Sequence, residues 1–261
     1  MSIRTTTILN LKGGVAKTTT AINMAAILAR NYGKRVLLID ADSQCNTTEF
    51  FGGEYTGESM ASILRSSRYC DEVKYVALRT IQPTGIENLH LIPADDTLMD
   101  MDLSAASNGT VDVNVLRSLV EAMREDYDYV LIDCPPAFNA ASAAALVAAD
   151  DVVIPIKLDA FSLRGMVNLT RQIKNMKRIN PRLQIAGLLP TMWYDDQQIQ
   201  EAEQQLRSSG IRIFHHIRRS DPVDKMTFRQ EPLLISSPNS GAGIDYRTFV
   251  AEYVGGADNG L

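Results

Sequence analysis

Cysteine and histidine are both scarce in this chain. Three of its 261 residues are cysteines and three are histidines. Cys45, Cys70 and Cys134 are odd in number and form no CxxC pair, which argues against a disulfide framework and against a zinc knuckle. The histidines show no metal-ligand spacing either. We therefore expect reduced thiols and no zinc site.

Long apolar runs and an excess of positive charge are missing as well. The longest nearly apolar segment, Ala140 to Ala149, is far too short to cross a bilayer, and no signal-like segment follows Met1. These absences predict a cytoplasmic protein. The formal net charge of −5 disfavours a protein that coats nucleic acid through bulk charge. By contrast, residues 157–229 contain 13 Lys and Arg against 7 Asp and Glu, so an anionic partner is expected there.

Short runs rich in Val, Ile and Leu alternate along the chain with segments of helical spacing, which is typical of a parallel sheet with crossover helices. We predict an α/β fold, in which a mostly parallel twisted sheet has helices on both faces, as a single domain over residues 1–254. The Gly-rich residues 255–261 are predicted to form a flexible tail. Residues 52–85 have a weak pattern that fits either a short helix pair or a loop insertion.

The hydrophobic periodicity sets the bounds of the predicted elements. The predicted strands are Thr6–Leu11, Arg35–Ile39, Leu89–Pro93, Tyr129–Cys134, Val152–Ile156, Gln184–Leu189 and Ile211–His216. The predicted helices are Lys17–Tyr32, Val113–Glu125, Leu163–Ile179 and Gln197–Ser208.

A Gly-rich segment, Lys12 to Thr19, lies between the first predicted strand and an Ala-rich helix. Such a turn directs backbone N–H groups and the positive end of the helix dipole into one space, where an anion can bind. Lys17 can then reach the terminal phosphates of a nucleotide, and the Thr18 hydroxyl can ligate magnesium. The ordinary P-loop spacing is not met, because Leu11 and Ala16 stand where that pattern has glycine.

With its additional lysine before the paired glycines, this segment resembles the deviant Walker A motif of the ParA/MinD partition and positioning ATPases. The resemblance extends over most of the chain. It is carried further by Val36–Asp42, Leu131–Pro136, Ile154–Ile156, Phe161–Gly165, Ile217–Ser220 and Ser240–Tyr246.

The predicted site holds ATP or ADP with Mg²⁺. Lys17 and the loop amides bind the phosphates, while Thr18 directly and Asp133 through water hold the metal. The resemblance implies that Asp42 orients the attacking water, that Asp40 supports the metal, and that Lys12 reaches the phosphates of a partner subunit. It also implies that Pro190 and Met192 line the base pocket. The full set of predicted nucleotide contacts is Gly13, Gly14, Val15, Ala16, Lys17, Thr18, Thr19, Pro190 and Met192.

Three positions depart from the family pattern. Ala16 replaces a glycine, which is tolerable only if that residue has a negative φ. Ser43 and Cys45 stand where partition ATPases often have proline and glycine, so the loop after Asp42 is expected to differ in stiffness.

A DNA-binding surface is predicted in the basic second half of the chain. Arg218 aligns with a DNA-contacting arginine of ParA-type proteins, and Arg219 follows it. On the predicted helix from Leu163, basic residues recur at helical spacing and form one stripe. Asp195 and Asp196 occupy a stretch where relatives carry another DNA-binding arginine. The predicted DNA contacts are Arg218, Arg219, Arg164, Arg171, Lys174 and Arg178.

The resemblance implies a nucleoid-associated partition ATPase that dimerises on ATP, binds DNA without sequence preference and is stimulated by a centromere-binding ParB-like protein. The alternative is a MinD-like ATPase on a membrane surface. Such proteins end in a basic amphipathic helix. This sequence instead ends in the acidic, Gly-broken residues 252–261, so no membrane partner is predicted. An iron–sulfur protein would need cluster cysteines that are not apparent, and the three aspartates disfavour a subunit without turnover.

Overall fold

The computed structural model describes residues 3–53, 58–66, 70–107, 109–208 and 210–258, and only the backbone of residues 70, 107, 160, 161, 163, 164, 257 and 258. The strands in this part of the chain are β1 (Arg4–Ile8), β2 (Val36–Asp40), β3 (Gln82–Pro83), β4 (Leu89–Ile92), β5 (Tyr129–Asp133), β6 (Asp151–Lys157) and β7 (Gln184–Thr191). The helices are α1 (Lys17–Tyr32), α2 (Asn46–Phe50), α3 (Met60–Arg65), α4 (Cys70–Thr80), α5 (Leu103–Ser107), α6 (Val115–Ala122), α7 (Ala140–Ala148), α8 (Ala160–Met176), α9 (Gln197–Arg207), α10 (Asp221–Arg229), α11 (Leu233–Ser236) and α12 (Gly241–Asp258).

The described strands form one sheet in the order β3-β4-β2-β5-β1-β6-β7. Neighbouring strands are parallel except for β3 and β4, which are antiparallel. This sheet confirms the predicted fold class. Because parallel strands all end at the same edge, the loops after β1, β2 and β5 meet there, where an open α/β sheet binds its ligands.

Both faces of the sheet are covered, because its central strands are apolar on both sides. Leu37 and Ile39 of β2 belong to one buried cluster, whereas Val36 and Leu38 belong to the other. Successive side chains of a strand point to opposite faces, so the two clusters lie on opposite sides of the sheet. Helix α1 packs against α12 within the second cluster.

The predicted strand Ile211–His216 is wrong, since this segment forms only an isolated bridge to β7, between Ile213 and Leu188. Leu188 exchanges hydrogen bonds with Arg212 and Phe214, at 2.9 Å each. The next β7 residue that faces the segment is Pro190, which has no N–H group to donate. The ladder therefore stops, although the Pro190 carbonyl still accepts a bond from Ile217 N at 2.8 Å.

Two other regions differ from or add to the sequence prediction. Residues 52–85, for which the sequence allowed two alternatives, contain α3, α4 and the edge strand β3 in their described part. Helix α12 runs to Asp258 and so extends into residues predicted as a flexible tail. Its end is anchored because Tyr253 is buried, with its hydroxyl close to the carboxylate of Asp151. No helix in the described ranges has the length and apolarity needed to cross a membrane.

Candidate nucleotide-binding site

The loop between β1 and α1 leaves the amides at the start of α1 without a side-chain cap. Gly14 and Ala16 both have left-handed backbones, with φ of 68° and 64°. Ala16 directly precedes the helix, and its side chain offers no capping hydrogen bond. Uncapped N–H groups at the positive end of a helix dipole form an anion-binding site.

The negative φ on which we made the tolerance of Ala16 conditional is therefore not observed. A left-handed conformation costs an L-residue with a Cβ roughly 1–2 kcal/mol. Cys45, which also stands where the resembling family often has glycine, has a φ of 55°. These two loops, and the segment after β7, where Met192 has a φ of 53°, each hold a non-glycine residue in a strained conformation, which persists only where the surrounding structure imposes it.

Lys17 is held inside this loop. Its side chain is buried, and Nζ donates a hydrogen bond to the Lys12 carbonyl at 3.2 Å. Burial lowers the pKa of Lys17, while the nearby carboxylates of Asp133 and Asp42 act in the opposite direction. A buried ammonium group that lines the cavity at a helix N-terminus is placed to bind phosphate oxygens.

Two buried carboxylates lie side by side at the ends of adjacent strands. Asp40 of β2 pairs in register with Asp133 of β5. Burial raises the pKa of both groups, and for Asp40 the charge of Asp133 raises it further. The following helix α2 contacts both of them, because Thr47 Oγ1 donates to Asp133 at 2.8 Å and Thr48 Oγ1 donates to Asp40 at 2.7 Å.

One carboxylate oxygen of Asp133 lacks a hydrogen-bond partner among the described residues, whereas both oxygens of Asp40 accept hydrogen bonds. Asp40 accepts hydrogen bonds from Asp42 N at 3.1 Å and from Thr48 N at 2.9 Å, in addition to the Thr48 hydroxyl. Asp133 Oδ1 is buried and accepts no hydrogen bond from the residues described. Burial raises the pKa of this carboxylate, and the nearby Thr18 hydroxyl acts to lower it. An unpartnered carboxylate oxygen beside a hydroxyl fits the oxygen ligands that Mg²⁺ prefers.

A cavity of about 940 Å³ extends from the loop across the sheet edge. Asp42 lines it, and this carboxylate is oriented by a hydrogen bond from Gln44 N at 3.1 Å. Of the predicted nucleotide contacts, Val15 and Pro190 do not line the cavity. Those that do are Gly13, Gly14, Ala16, Lys17, Thr18, Thr19 and Met192.

The sequence prediction missed one wall of the cavity, which is formed by α10. Asp221, Asp224 and Phe228 recur at helical spacing along this wall. The serine at position 220 followed by Pro222 in the first turn is a helix-start signal that could have revealed it. Trp193 does not line the cavity, and its ring stacks on His216 with centroids 4.0 Å apart.

Lys12 lies outside the cavity and contacts α8 of its own chain. Its ammonium donates to both carboxylate oxygens of Asp159, at 2.9 and 2.7 Å, and to Ser162 Oγ at 3.0 Å. These bonds hold the pKa of Asp159 at about 2, although burial of the carboxylate acts to raise it. The free protomer thus satisfies Lys12 internally.

The predicted DNA contacts do not share one environment. Arg219 is exposed and makes no ion pair with another described residue, whereas Arg218 pairs with the buried Asp245 at 2.8 Å. Arg171 and Lys174 are exposed on α8, and another face of that helix is buried. Arg178 lies beyond the last turn of α8 and is exposed, and the side chain of residue 164 lies outside the described part of the structure.

Asp195 and Asp196, which the resemblance places where an arginine was expected, have local contacts. Asp196 caps α9 by accepting hydrogen bonds from Gln198 N and Ile199 N. Asp195 accepts a hydrogen bond from the Gln200 side chain at 2.6 Å. These contacts stabilise the start of α9, and both carboxylates are thereby kept near the surface.

Comparison with known proteins identifies the family. A family model described as "AAA domain" matches residues 3–185. The chain is 34% identical over 242 residues to the sporulation initiation inhibitor protein Soj of Bacillus subtilis, covering 91% of this chain and 88% of that protein. It is 38% identical over 196 residues to the chromosome partitioning protein ParA of Caulobacter vibrioides, covering 73% and 70%.

Solved structures with nucleotide share the fold. The ATP complex of a Cyanothece McdA variant superposes with a TM-score of 0.82 at 26% identity and covers 97% of each chain. The cobyrinic acid a,c-diamide synthase of Mycobacterium smegmatis with ADP and magnesium gives a TM-score of 0.81 at 26% identity, covering 99% of this chain and 97% of that one. The predicted cofactors, ATP or ADP with Mg²⁺, are thus confirmed at the level of the family. The chain belongs to the ParA/MinD family of ATPases and resembles its Soj and ParA members.

Proposed function

We propose that this ATPase is a DNA partition protein, which dimerises on ATP, binds DNA without sequence preference and hydrolyses ATP when a centromere-binding ParB-like protein stimulates it. The observation that carries this proposal is the similarity to Soj, which covers nine-tenths of the chain rather than the nucleotide loop alone. In this function the protein associates with the nucleoid.

The nucleotide site supports the hydrolysis step through residues with separate tasks. Lys17 and the loop amides bind the phosphates, and Thr18 with Asp133 would hold Mg²⁺, which neutralises charge that develops on the phosphates. Asp40 holds α2 against the metal side of the site through its bonds to Thr48. Asp42, aimed into the cavity by Gln44 N, orients the attacking water.

The dimer supplies the remaining cation. Lys12 has no task in its own chain's cavity, and the family resemblance assigns it to the phosphates of a partner subunit. A cation supplied in trans contributes about 10³ to 10⁵ in rate in other nucleotide hydrolases. Hydrolysis in this chain therefore depends on dimerisation, and a partner that favours the closed dimer raises the rate.

DNA binding rests on the exposed cations of the second half, and the predicted ones with described side chains are Arg219, Arg171, Lys174 and Arg178. Contacts to backbone phosphates carry no sequence information, so binding is non-specific. Because the net charge is −5, bulk charge does not favour DNA binding, and the proposal depends on this basic region.

The proposal is tested by measuring ATP turnover of the protein alone, with non-specific duplex DNA, and with DNA plus the ParB-like protein. We expect little turnover alone and the highest turnover with both additions, while Lys17→Ala controls for contaminating ATPases. Binding to anionic vesicles in place of DNA would instead support the MinD-like alternative. Turnover indifferent to both DNA and vesicles would overturn the partition function while leaving the ATPase assignment intact.

A further inference from the structure

A second cavity, of about 470 Å³, lies at the sheet edge opposite the nucleotide-binding site. Thr5 in β1, Asp150 before β6 and Arg182 before β7 line it, so it lies where these parallel strands begin. We propose that this cavity binds a small organic oxyanion, a carboxylate or a phosphate ester, through Arg117, Arg182 and the Thr5 hydroxyl. The inference goes beyond the partition function, because none of the described residues that line this cavity also lines the nucleotide cavity.

The cavity lies between β1 and a layer of helices. Arg117, Val120 and Glu121 line it from α6, at the spacing that places side chains on one face of a helix. Thr5 and Thr7 of β1 point to the same side of the sheet, and Thr7 Oγ1 donates to a carbonyl of α7 at 3.3 Å. Thr5 therefore faces the helices as well. The cavity volume is within the range of sites that hold small molecules.

The Thr5 hydroxyl has no partner in the protein. Thr5 is completely buried, and its Oγ1 forms no hydrogen bond with any described residue. A buried hydroxyl without a partner costs free energy, and most such groups in native proteins are satisfied. Because Thr5 also lines the cavity, a bound molecule with an acceptor oxygen would supply the missing hydrogen bond.

Arg117 is held in a fixed orientation beside this hydroxyl. Its side chain is half-buried, and Nε and Nη2 donate to the Val147 carbonyl at 3.1 and 2.7 Å. A guanidinium group has five N–H donors, so these two bonds leave donors for a ligand. Since the group is already oriented, little side-chain entropy is lost when a ligand binds.

The acidic residues of the lining do not neutralise the cations that we assign to the ligand. Glu121 pairs with Arg124 at 2.5 Å, and Asp150 accepts a hydrogen bond from a backbone N–H group of β1 at 2.9 Å. Glu125 is exposed, so solvent screens its charge. Arg182 is exposed and, like the arginine on α6, forms no ion pair among the residues described. A carboxylate or phosphate group fits such guanidinium groups, because both present paired oxygens.

Apolar side chains complete the cavity and favour an organic ligand. Ile3, Val120 and Ala148 line it together with the polar groups. Apolar walls with a few polar groups are typical of sites for small organic molecules, in which the polar groups fix the orientation. We therefore expect the oxyanion to carry a carbon skeleton that packs against these three residues.

The test measures binding of two probes, succinate and glycerol 2-phosphate, by an NMR titration that follows the ligand signals. Saturating ADP with Mg²⁺ is present throughout, so that the nucleotide site is closed to the phosphate ester. We expect the wild-type protein to bind at least one probe with a Kd in the millimolar range. Arg182→Ala should weaken this binding roughly tenfold, as expected for loss of a hydrogen bond between charged groups. The matched control is Arg30→Ala, which removes an exposed arginine at the end of α1 and should change nothing.

Thr5→Val separates a role in binding from a role in stability. It removes a hydroxyl that has no partner and keeps the shape of the side chain, so the urea midpoint without probe should stay the same or rise while probe affinity falls severalfold. Thr7→Val, the control on the same face of β1, breaks a hydrogen bond and should lower the midpoint without changing probe affinity.

The outcomes for the two probes decide the proposal. Binding of only one probe, weakened by Arg182→Ala and by Thr5→Val, supports the site and identifies the oxyanion that it selects. Binding of neither probe to the wild-type protein would overturn the proposal, and so would binding that both variants leave unchanged. The ATPase and DNA measurements of the partition function do not depend on this result.

Discussion

Arg218 and Asp245 form a two-point ion pair in which the carboxylate is buried. Nε and Nη2 of Arg218 each donate to one oxygen of Asp245 at 2.8 Å, and Arg218 N donates to the same group. His215 approaches it as well, at 3.3 Å. The arginine that the family resemblance assigns to DNA is therefore also the main counterion of an internal carboxylate.

Replacing the two neighbouring arginines should affect stability unequally. Arg218→Ala leaves Asp245 buried without its charge partner, and we expect it to lower the free energy of unfolding by about 2–3 kcal/mol. Arg219→Ala removes an exposed side chain and should change the free energy of unfolding by less than about 0.5 kcal/mol. Urea denaturation of both variants measures the difference, and equal stabilities would contradict the structural role of Arg218.

The DNA surface is consequently best tested at Arg219. Arg219→Ala should weaken binding to all duplexes alike and reduce the slope of log affinity against log salt by about 0.9 for each phosphate that is no longer neutralised, or about twice that in a dimer. Anisotropy measurements with two unrelated duplexes and an ATP analogue give both quantities. Arg182→Ala, an exposed arginine before β7 at the opposite sheet edge, is the control, and undiminished binding by Arg219→Ala would remove this residue from the surface.

The left-handed backbone of Ala16 predicts a stabilising substitution. Ala16→Gly relieves the strain at φ 64°, and although glycine adds entropy to the unfolded chain, we expect a net gain of about 0.5–1 kcal/mol. Ala21→Gly, in the regular helix α1, should instead destabilise by about 1 kcal/mol or more. Thermal or urea unfolding compares the two, and a loss of stability in Ala16→Gly would show that the alanine methyl group makes a necessary contact.

Substitutions of Lys17 and Asp42 should have separate effects on ATP binding and on ATP turnover. Lys17→Ala is expected to abolish ATP binding, because no other buried ammonium lines the described phosphate loop. Asp42→Ala should retain binding, lose about 10²-fold or more in turnover and accumulate the ATP-bound dimer. Titration of a fluorescent ATP analogue and phosphate release measure these effects. Wild-type turnover in Asp42→Ala would remove this carboxylate from the hydrolysis step.

The Lys12–Asp159 pair should contribute to acid sensitivity. The folded pKa of Asp159 is about 2, below the unfolded value of about 3.9. A carboxyl whose pKa is depressed by folding stabilises above the unfolded pKa, and this contribution is lost as pH falls toward 2. Between pH 5 and pH 3, wild-type protein should lose more stability in urea unfolding than Asp159→Asn. Equal losses would indicate that the pair does not persist in solution.

Local patterns in the sequence predicted the fold class and most of the phosphate site. The helix Lys17–Tyr32 has the same bounds in the sequence prediction and in the structure, because its apolar periodicity is continuous and Gly33 ends it. The strand ends at Asp40 and Asp133 were recognisable because fully buried parallel strands are continuous apolar runs. The prediction of a strand at Ile211–His216 was wrong because the residue that ends the ladder, Pro190, belongs to the neighbouring strand β7.

The sequence by itself determined which chemical groups stand at the sheet edge, since strand, turn and helix signals are short-range and the order of the elements follows from them. Only the tertiary structure decided how those groups are used. Lys12 and Asp159 are 147 residues apart, and Arg218 and Asp245 are 27 apart. The sequence around a basic residue does not indicate which carboxylate it will contact. That depends on where the packing of the sheet and helices places both side chains. The left-handed backbone of Ala16 has the same origin, since the surrounding loop imposes a conformation that alanine does not favour.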